Sequence, residues 1–150
     1  PVRTARIAEN VIRLGLKADN IVIRTGDAAL PSTCWDGQPF DRILADVPCS
    51  ASGVVRRHPD AKWLRRATDI EGFVRTQARI IDALWQTLAP GGKMLYVTCS
   101  VFNAENDAQV AAFISRHSNA RRLPINAAPF MQLLPTADHD GFFYALLQKI

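Results

Sequence analysis

Residues 42–50 read RILADVPCS, and residues 93–100 read KMLYVTCS. Each segment is a short apolar run that ends in a polar turn, which is typical of a buried β-strand. Between the two segments, apolar residues recur at helical spacing. They are Ile70, Phe73, Val74, Ile81, Leu84, Trp85 and Leu88. A strand, a long helix and a second strand together predict a parallel pair with a crossover helix.

The residues before this unit predict a further helix and a further strand. Over residues 3–16, Ile7, Val11 and Leu14 have helical spacing, and Gly15 lies where a C-terminal cap is expected. The following stretch, NIVIR at residues 20–24, is short and β-branched, and therefore predicts a buried strand.

The residues after the RILADV strand, residues 42–47, add a loop, and those after the KMLYVT strand, residues 93–98, add a helix and two more strands. Residues 50–59 lack any periodicity and predict a long functional loop that leads into a short helix. The glycines of residues 90–92 predict the cap and turn that end the long helix. Asn103 is expected to open a helix, and residues 129–148 contain two strand-like runs, FMQLL and GFFYALL.

Length and composition restrict the class of protein. The chain has 150 residues, of which 48% are hydrophobic and 21% charged, which suits one domain or part of one. No apolar run approaches the roughly 20 residues of a membrane-spanning helix, and the N-terminus does not resemble a signal peptide. The three cysteines, Cys34, Cys49 and Cys99, are odd in number and have no C-x-x-C spacing. We therefore expect free thiols and a cytoplasmic location.

The positive charge of the chain is concentrated in one segment. The net charge is +4, and residues 56–66, RRHPDAKWLRR, contain five Lys or Arg residues against one Asp, a local charge that is also +4. Such a segment predicts contacts with a nucleic-acid backbone, although a solvated loop and helix start would have the same composition. The candidate RNA-binding residues are Arg56, Arg57, His58, Lys62, Arg65 and Arg66.

Candidate functional residues follow each predicted strand. Gly26 and Asp27 follow the first strand, Asp46 and Cys49 follow the second, and Cys99 follows the third. Ligands of open α/β sheets bind at the carboxyl ends of the strands. We therefore expect two carboxylates and two thiols to meet at one edge of the sheet.

The motifs around these cysteines resemble a known enzyme family. Residues 46–63, DVPCSASGVVRRHPDAKW, and residues 96–101, YVTCSV, resemble the Sun-type (Nop/Sun) RNA cytosine-5 methyltransferases. The resemblance runs nearly end to end and is closest to bacterial members that methylate small-subunit ribosomal RNA. It implies a partial Rossmann-like methyltransferase fold of the α/β class. In that fold the sheet is mostly parallel, its C-terminal strand is antiparallel, and S-adenosylmethionine is the cofactor.

The resemblance also assigns roles to the candidate residues. C5 of cytosine is a poor nucleophile, so its methylation requires a thiolate to add first to C6. By resemblance, Cys99 is this nucleophile, and Cys49 assists the later release of the adduct. Asp46 is expected to hydrogen-bond the cytosine ring and to contact the cofactor, and Asp27 to accept a hydrogen bond from the adenine amino group. Taken alone, either aspartate would be interpreted as a turn-forming residue.

The chain also departs from the family pattern. A strand, a glycine-rich cofactor loop and a ribose-binding acid are expected before the first helix, and none is present. We therefore expect residues 1–150 to be the C-terminal part of one catalytic domain, without the N-terminal RNA-binding domain. Residues 90–92 do not replace the cofactor loop, because they follow a helix and open a strand. The histidines have no metal-ligand spacing; they are His58, His117 and His139.

Two alternatives remain open from the sequence. A DNA cytosine-5 methyltransferase would use the Pro-Cys cysteine, Cys49, as nucleophile and would not need the Thr-Cys-Ser motif. A non-catalytic RNA-binding module would account for the basic segment and for the missing cofactor loop. For Cys34, we predict only a small buried apolar side chain.

Overall fold

The computed structural model describes residues 2–16, 19 and 21–150. Short 3₁₀ turns lie at Pro31–Thr33, Ser52–Val54 and Asn103–Glu105. The helices are α1 (Val2–Arg13), α2 (Ala61–Leu64), α3 (Ala67–Thr87) and α4 (Asp107–Arg116). The strands are β1 (Phe40–Asp46), β2 (Leu88–Thr98), β3 (Ala120–Leu123), β4 (Met131–Leu133) and β5 (Phe142–Lys149). In this part of the chain, no helix has the length and hydropathy needed to cross a membrane.

The strands form one mixed sheet in the order β1-β2-β5-β3. β1 and β2 are parallel, as the strand, helix and strand pattern predicts. β5 is antiparallel to β2 on one side and to β3 and β4 on the other. Four strands therefore point one way and β5 points the other, which confirms the expected mostly parallel sheet with an antiparallel C-terminal strand.

The hydrophobic core lies between the sheet and the helices α3 and α4. Trp85 of α3 and Phe113 of α4 are buried and meet edge to face, with ring centroids 5.1 Å apart. Tyr96 of β2 and Phe143 of β5 are buried and meet in a similar arrangement. Burial of large aromatic side chains contributes a major share of the stability of such a core. The long helix predicted from apolar spacing is thereby confirmed.

The first predicted helix is confirmed, and the strand predicted after it is wrong. α1 ends in a Schellman motif, in which Gly15 has φ +64° and the N–H of Leu16 donates to the carbonyl of Val11. Residues 21–24 form no strand, because no described strand lies beside them to pair with their backbone groups. Val22 is 75% exposed. Asn20 lies outside the described residues.

Two other local predictions need correction. The cap of α3 is Leu88 in extended backbone, so residues 90–92 do not cap the helix. They belong to β2, where Gly91 has φ +77°. Phe40 of β1 is opposite Leu88 and Arg42 is opposite Lys93, so the register between the two strands shifts at these glycines. These glycines therefore lie in an irregular bulge, in which β2 has three more residues than β1. Asn103 begins a 3₁₀ turn, and α4 itself begins at Asp107.

Candidate active site

The two thiols of the predicted site lie side by side. In the parallel pair β1 and β2, Asp46 is opposite Val97. Cys49 follows Asp46 by three residues and Cys99 follows Val97 by two, so both cysteines leave the sheet at the same edge. Their Sγ atoms are 3.4 Å apart, and both residues are half-buried. The expected meeting of the two thiols is confirmed.

The short distance between the sulfurs makes them unequal as acids. A thiol that donates to a neighbouring thiolate stabilises it, and the same bond opposes ionisation of the donor. The hydrogen bond from Cys99 lowers the pKa of Cys49 to about 7, against the opposing effect of burial. The bond to Cys49 raises the pKa of Cys99, with further increases from burial and from the charge of Asp46. Cys49 therefore ionises first.

A buried carboxylate ties the two cysteine loops together. Glu105 is fully buried, and its carboxylate accepts hydrogen bonds from the hydroxyls of Ser50 and Ser100, both at 2.6 Å. It also accepts from the backbone N–H of Ser50 at 2.9 Å and from the side-chain amide of Gln77 at 3.0 Å. Since Ser50 follows Cys49 and Ser100 follows Cys99, this single carboxylate joins the residues that follow both thiols.

Sequence reasoning did not identify Glu105 or Gln77. A signal was nevertheless present in α3, where no large apolar residue stands between Val74 and Ile80. Gln77 lies on the inner face in this gap, four residues before Ile81, and is fully buried. A polar residue at a core position of a helix indicates a buried polar partner, because its unpaired burial would be costly.

The first cysteine loop is also joined to the start of β5 through Gly53. The N–H of Gly53 donates to the carbonyl of Cys99, and the N–H of Gly141 donates to the carbonyl of Gly53, each at 2.8 Å. A Cβ at Gly53 would overlap the carbonyl of Gly141. Only glycine therefore permits this contact, which brings residues 140–145, DGFFYA, to the cysteine loops.

The basic segment is anchored as well as exposed. Asp140 is buried, and its carboxylate lies 2.6 Å from the guanidinium of Arg57 and 3.4 Å from that of Arg56. The Nε of Arg65 donates to the carbonyl of Ser50 at 3.0 Å. Three of the candidate RNA-binding arginines therefore hold the loop in place while their side chains stay exposed. The other candidates, His58, Lys62 and Arg66, are also exposed.

The two candidate aspartates have different surroundings. Asp46 is exposed at the end of β1, close enough to Cys99 for its charge to raise the pKa of that thiol. Asp27 accepts a hydrogen bond from the N–H of Ala29 at 2.9 Å. Within the residues that the structure describes, the hydrogen bonds of Asp27 stay inside residues 27–33 and do not reach the cysteine loops. The structure places Asp46, Cys49 and Cys99, three of the four expected groups, next to one another.

Cys34 lies apart from the thiol pair. It is half-buried, and a Cβ added to Gly26 would lie 2.6 Å from its Cβ atom, so it packs tightly in its loop. In residues 2–16, 19 and 21–150, no three His, Cys, Asp or Glu side chains are close enough to hold a metal ion.

A comparison with protein families identifies the chain. The family model described as 16S rRNA methyltransferase RsmB/F matches residues 1–148. The chain belongs to this family. The resemblance found in the sequence is therefore confirmed. In this RsmB/F chain, the two thiols belong to the two motifs that carried the resemblance, residues 46–63 and 96–101.

Individual relatives agree with this identification. The chain is 50% identical over 149 residues to Ribosomal RNA small subunit methyltransferase B of Vibrio cholerae, a match that covers 98% of this chain and 34% of that protein. The solved structure of NSun6 from Pyrococcus horikoshii with SFG has a TM-score of 0.82 and 30% identity, covering 98% of this chain and 38% of that one. The crystal structure of PH0851 has a TM-score of 0.86 and 28% identity, covering 99% and 35%.

The RsmB/F chain spans about a third of the length of the curated relatives that it matches. We use the term full-length form for a protein of the relatives' length that contains this chain. The experiments below use this form.

Removing the Glu105 carboxylate is expected to destabilise the RsmB/F fold. In Glu105→Ala, the hydroxyls of Ser50 and Ser100 and the amide of Gln77 lose a shared buried acceptor. We expect the free energy of unfolding to fall by about 3 kcal/mol. Urea-induced unfolding measures this change, with Glu71→Ala as the control because the Glu71 side chain is 80% exposed. Equal stability of the two variants would contradict the role of Glu105.

Proposed function

We propose that this chain supplies the reacting thiols of an S-adenosylmethionine-dependent enzyme that methylates C5 of cytosine in small-subunit ribosomal RNA. The observation that carries the proposal is the 3.4 Å separation of the Cys49 and Cys99 sulfurs at adjacent strand ends. Family membership supports methylation of ribosomal RNA as the reaction. The related NSun6 structure, solved with the S-adenosylmethionine analogue SFG, supports the choice of cofactor.

The unequal acidity of the thiols gives each a separate task. The reactive form of the pair is the one that holds a single proton, with the charge on Cys49 and the proton on Cys99. Cys99 forms the bond to C6 of the cytosine, and its proton passes to Cys49. The ring electrons displaced by this addition make C5 a nucleophile, which takes up the methyl group.

Release restores the thiols. The C5 proton leaves, the ring recovers its double bond, and the C6–Sγ bonding electrons return to Cys99. Cys49 accepts the C5 proton as it gives its own proton to the departing sulfur of Cys99. The pair then holds two protons, and the surplus proton passes to solvent because the pKa of Cys49 is about 7.

The candidate cofactor residues have side chains of suitable chemistry. When bound, S-adenosylmethionine supplies an electrophilic methyl group. Asp46 is exposed at the strand end beside Cys99, and Asp27 has one carboxylate oxygen engaged by the N–H of Ala29. Carboxylates of this kind accept hydrogen bonds from amino and hydroxyl groups. Asp27 would hold the adenine amino group, and Asp46 would contact both the cofactor and the cytosine ring.

The second candidate function is RNA binding without catalysis. It is favoured by the exposed basic residues 56–66. Incubation of the full-length form with small-subunit ribosomal RNA and S-adenosylmethionine, followed by nucleoside analysis, distinguishes the two functions. The proposal predicts 5-methylcytidine. RNA that is bound but unmethylated would support the second function, and methylation of another base would contradict the assigned chemistry.

Loss of exposed positive charge is expected to reduce the salt dependence of RNA binding. Lys62 and Arg66 are the residues of choice, because Arg56, Arg57 and Arg65 also anchor the loop. In the Lys62→Gln/Arg66→Gln variant, the slope of log affinity against log salt should fall by about 1.4 if each residue contacts one phosphate of single-stranded RNA. Filter binding at several salt concentrations measures the slope.

The matched control for this variant is Arg75→Gln/Arg79→Gln, which removes the same charge from the exposed face of α3. Arg75 and Arg79 are exposed and lie outside the basic segment. Equal slopes for the two double variants would show that residues 56–66 are only a solvated surface.

A further inference from the structure

A cavity adjoins the thiol pair without including it. Its volume is about 380 Å³. One side is formed by Ser50 and Ser52 of the first cysteine loop, and another by Val101 and Phe102 of the second. Neither Cys49 nor Cys99 lines it, although each is within two residues of its wall. A group bound in the cavity would therefore lie next to the reacting base and not on it.

The lining of the cavity combines an apolar interior with positive charge. Val55, Ile70 and Phe102 supply apolar surface, and Phe102 is 45% exposed. Lys62 and Arg66 are exposed at its margin. Among the described residues that line the cavity, none is acidic. Single-stranded RNA is bound by this combination, in which bases stack on aromatic side chains and cations attract the phosphates.

The walls of the cavity are fixed relative to the thiols. The N–H of Phe102 donates to the hydroxyl of Ser100, and the N–H of Val101 donates to the hydroxyl of Ser52, both at 3.0 Å. The guanidinium of Arg65 is hydrogen-bonded to the carbonyl of Ser50. A ligand in the cavity is therefore positioned with respect to Cys49 and Cys99 before the reaction begins.

We propose that this cavity binds the base of a nucleotide next to the target cytosine, with Phe102 as its stacking platform. This inference rests on the proposed function. The target base must reach the sulfur of Cys99, which does not line the cavity. The volume is at the lower end of the range for small-ligand sites and suits one base. The hydroxyls of Ser50 and Ser52 are already engaged, so stacking and not hydrogen bonding supplies the affinity.

The test combines Phe102→Ala in the full-length form with a series of short RNAs, each lacking one base. Wild-type protein should lose about tenfold in affinity when the neighbouring base is removed, the scale of one base stacked on an aromatic ring. Phe102→Ala should show the same loss with intact RNA and no further loss with that abasic RNA. Phe102→Tyr should restore the affinity, and kcat should change less than KM.

Phe40→Ala is the matched control. Phe40 is also 45% exposed, but it begins β1, whereas the first cysteine loop follows the other end of that strand. This variant should leave the affinity unchanged for every RNA. If Phe102→Ala and removal of the target base together cost no more affinity than either change alone, the target base occupies the cavity and the proposal is overturned. The proposal is also overturned if the losses from Phe102→Ala and from base removal add at every position of the RNA. Affinity is measured without methyl transfer. If Phe102 is coupled to the neighbouring base but no 5-methylcytidine is formed, only the proposed function is overturned. Methylation without coupling would overturn only this inference.

Discussion

Cys99→Ala is expected to abolish methylation by the full-length form while leaving the fold and RNA binding intact. Without this sulfur no bond forms to C6, and C5 stays too weak a nucleophile to accept the methyl group. Removal of a catalytic nucleophile reduces turnover by several orders of magnitude, so we expect a loss of roughly 10³-fold or more. Incorporation of labelled methyl groups into ribosomal RNA measures it.

The fold should survive because Cys99 is half-buried and the substitution removes a single heavy atom. Cys34→Ala is the matched control, since Cys34 is a half-buried cysteine away from the thiol pair. It should retain normal turnover. Methylation by Cys99→Ala at the rate of Cys34→Ala would show that Cys99 is not the nucleophile.

Cys49→Ala is expected to fail at a later step and to leave RNA attached to the protein. The hydrogen bond with Cys49 is the largest cause of the raised pKa of Cys99. Loss of Cys49 therefore lowers that pKa towards its ordinary value, and Cys99 still ionises and adds to C6. In the proposed mechanism, the variant lacks the group that accepts the C5 proton during release. The adduct should accumulate, and turnover should fall sharply.

A denaturing gel distinguishes the two variants. With RNA and S-adenosylmethionine, full-length Cys49→Ala should give a protein–RNA band that survives denaturation, and Cys49→Ala/Cys99→Ala should give none. The opposite pattern, in which Cys99→Ala accumulates the adduct and Cys49→Ala does not, would assign the nucleophile as in DNA cytosine-5 methyltransferases.

The position of the thiol pair could be predicted from the sequence because it depends on strand direction alone. β1 and β2 are adjacent and parallel, so the residues that follow them meet at one edge. The prediction of a strand at residues 20–24 was wrong. A β-branched composition favours extended backbone, but a strand also needs a neighbouring strand to pair with, and composition does not reveal whether one is present. β3 was missed because its residues include Arg121 and Arg122, which have no alternating apolar pattern.

The burial of Glu105 and the order in which the two thiols ionise could not be predicted from strand direction. Glu105 is a charged residue, and such residues are rarely buried unless they are paired. It also lies eight residues after Val97, the last apolar core residue of β2. The sequence therefore favours an exposed side chain. Its burial becomes evident only with the four donors that surround it. The order in which the thiols ionise depends on the sulfur–sulfur distance and on the charge of Asp46, and both are tertiary properties.

The most direct test of the account is to find which sulfur bonds to the target base. RNA containing 5-fluorocytidine retains the adduct, because fluorine at C5 cannot leave as a proton. After reaction of the wild-type full-length form, trypsin places Cys49 in a peptide of residues 43–56 and Cys99 in a peptide of residues 94–116. Mass spectrometry is expected to find the nucleotide on residues 94–116. The nucleotide on residues 43–56 would contradict this expectation.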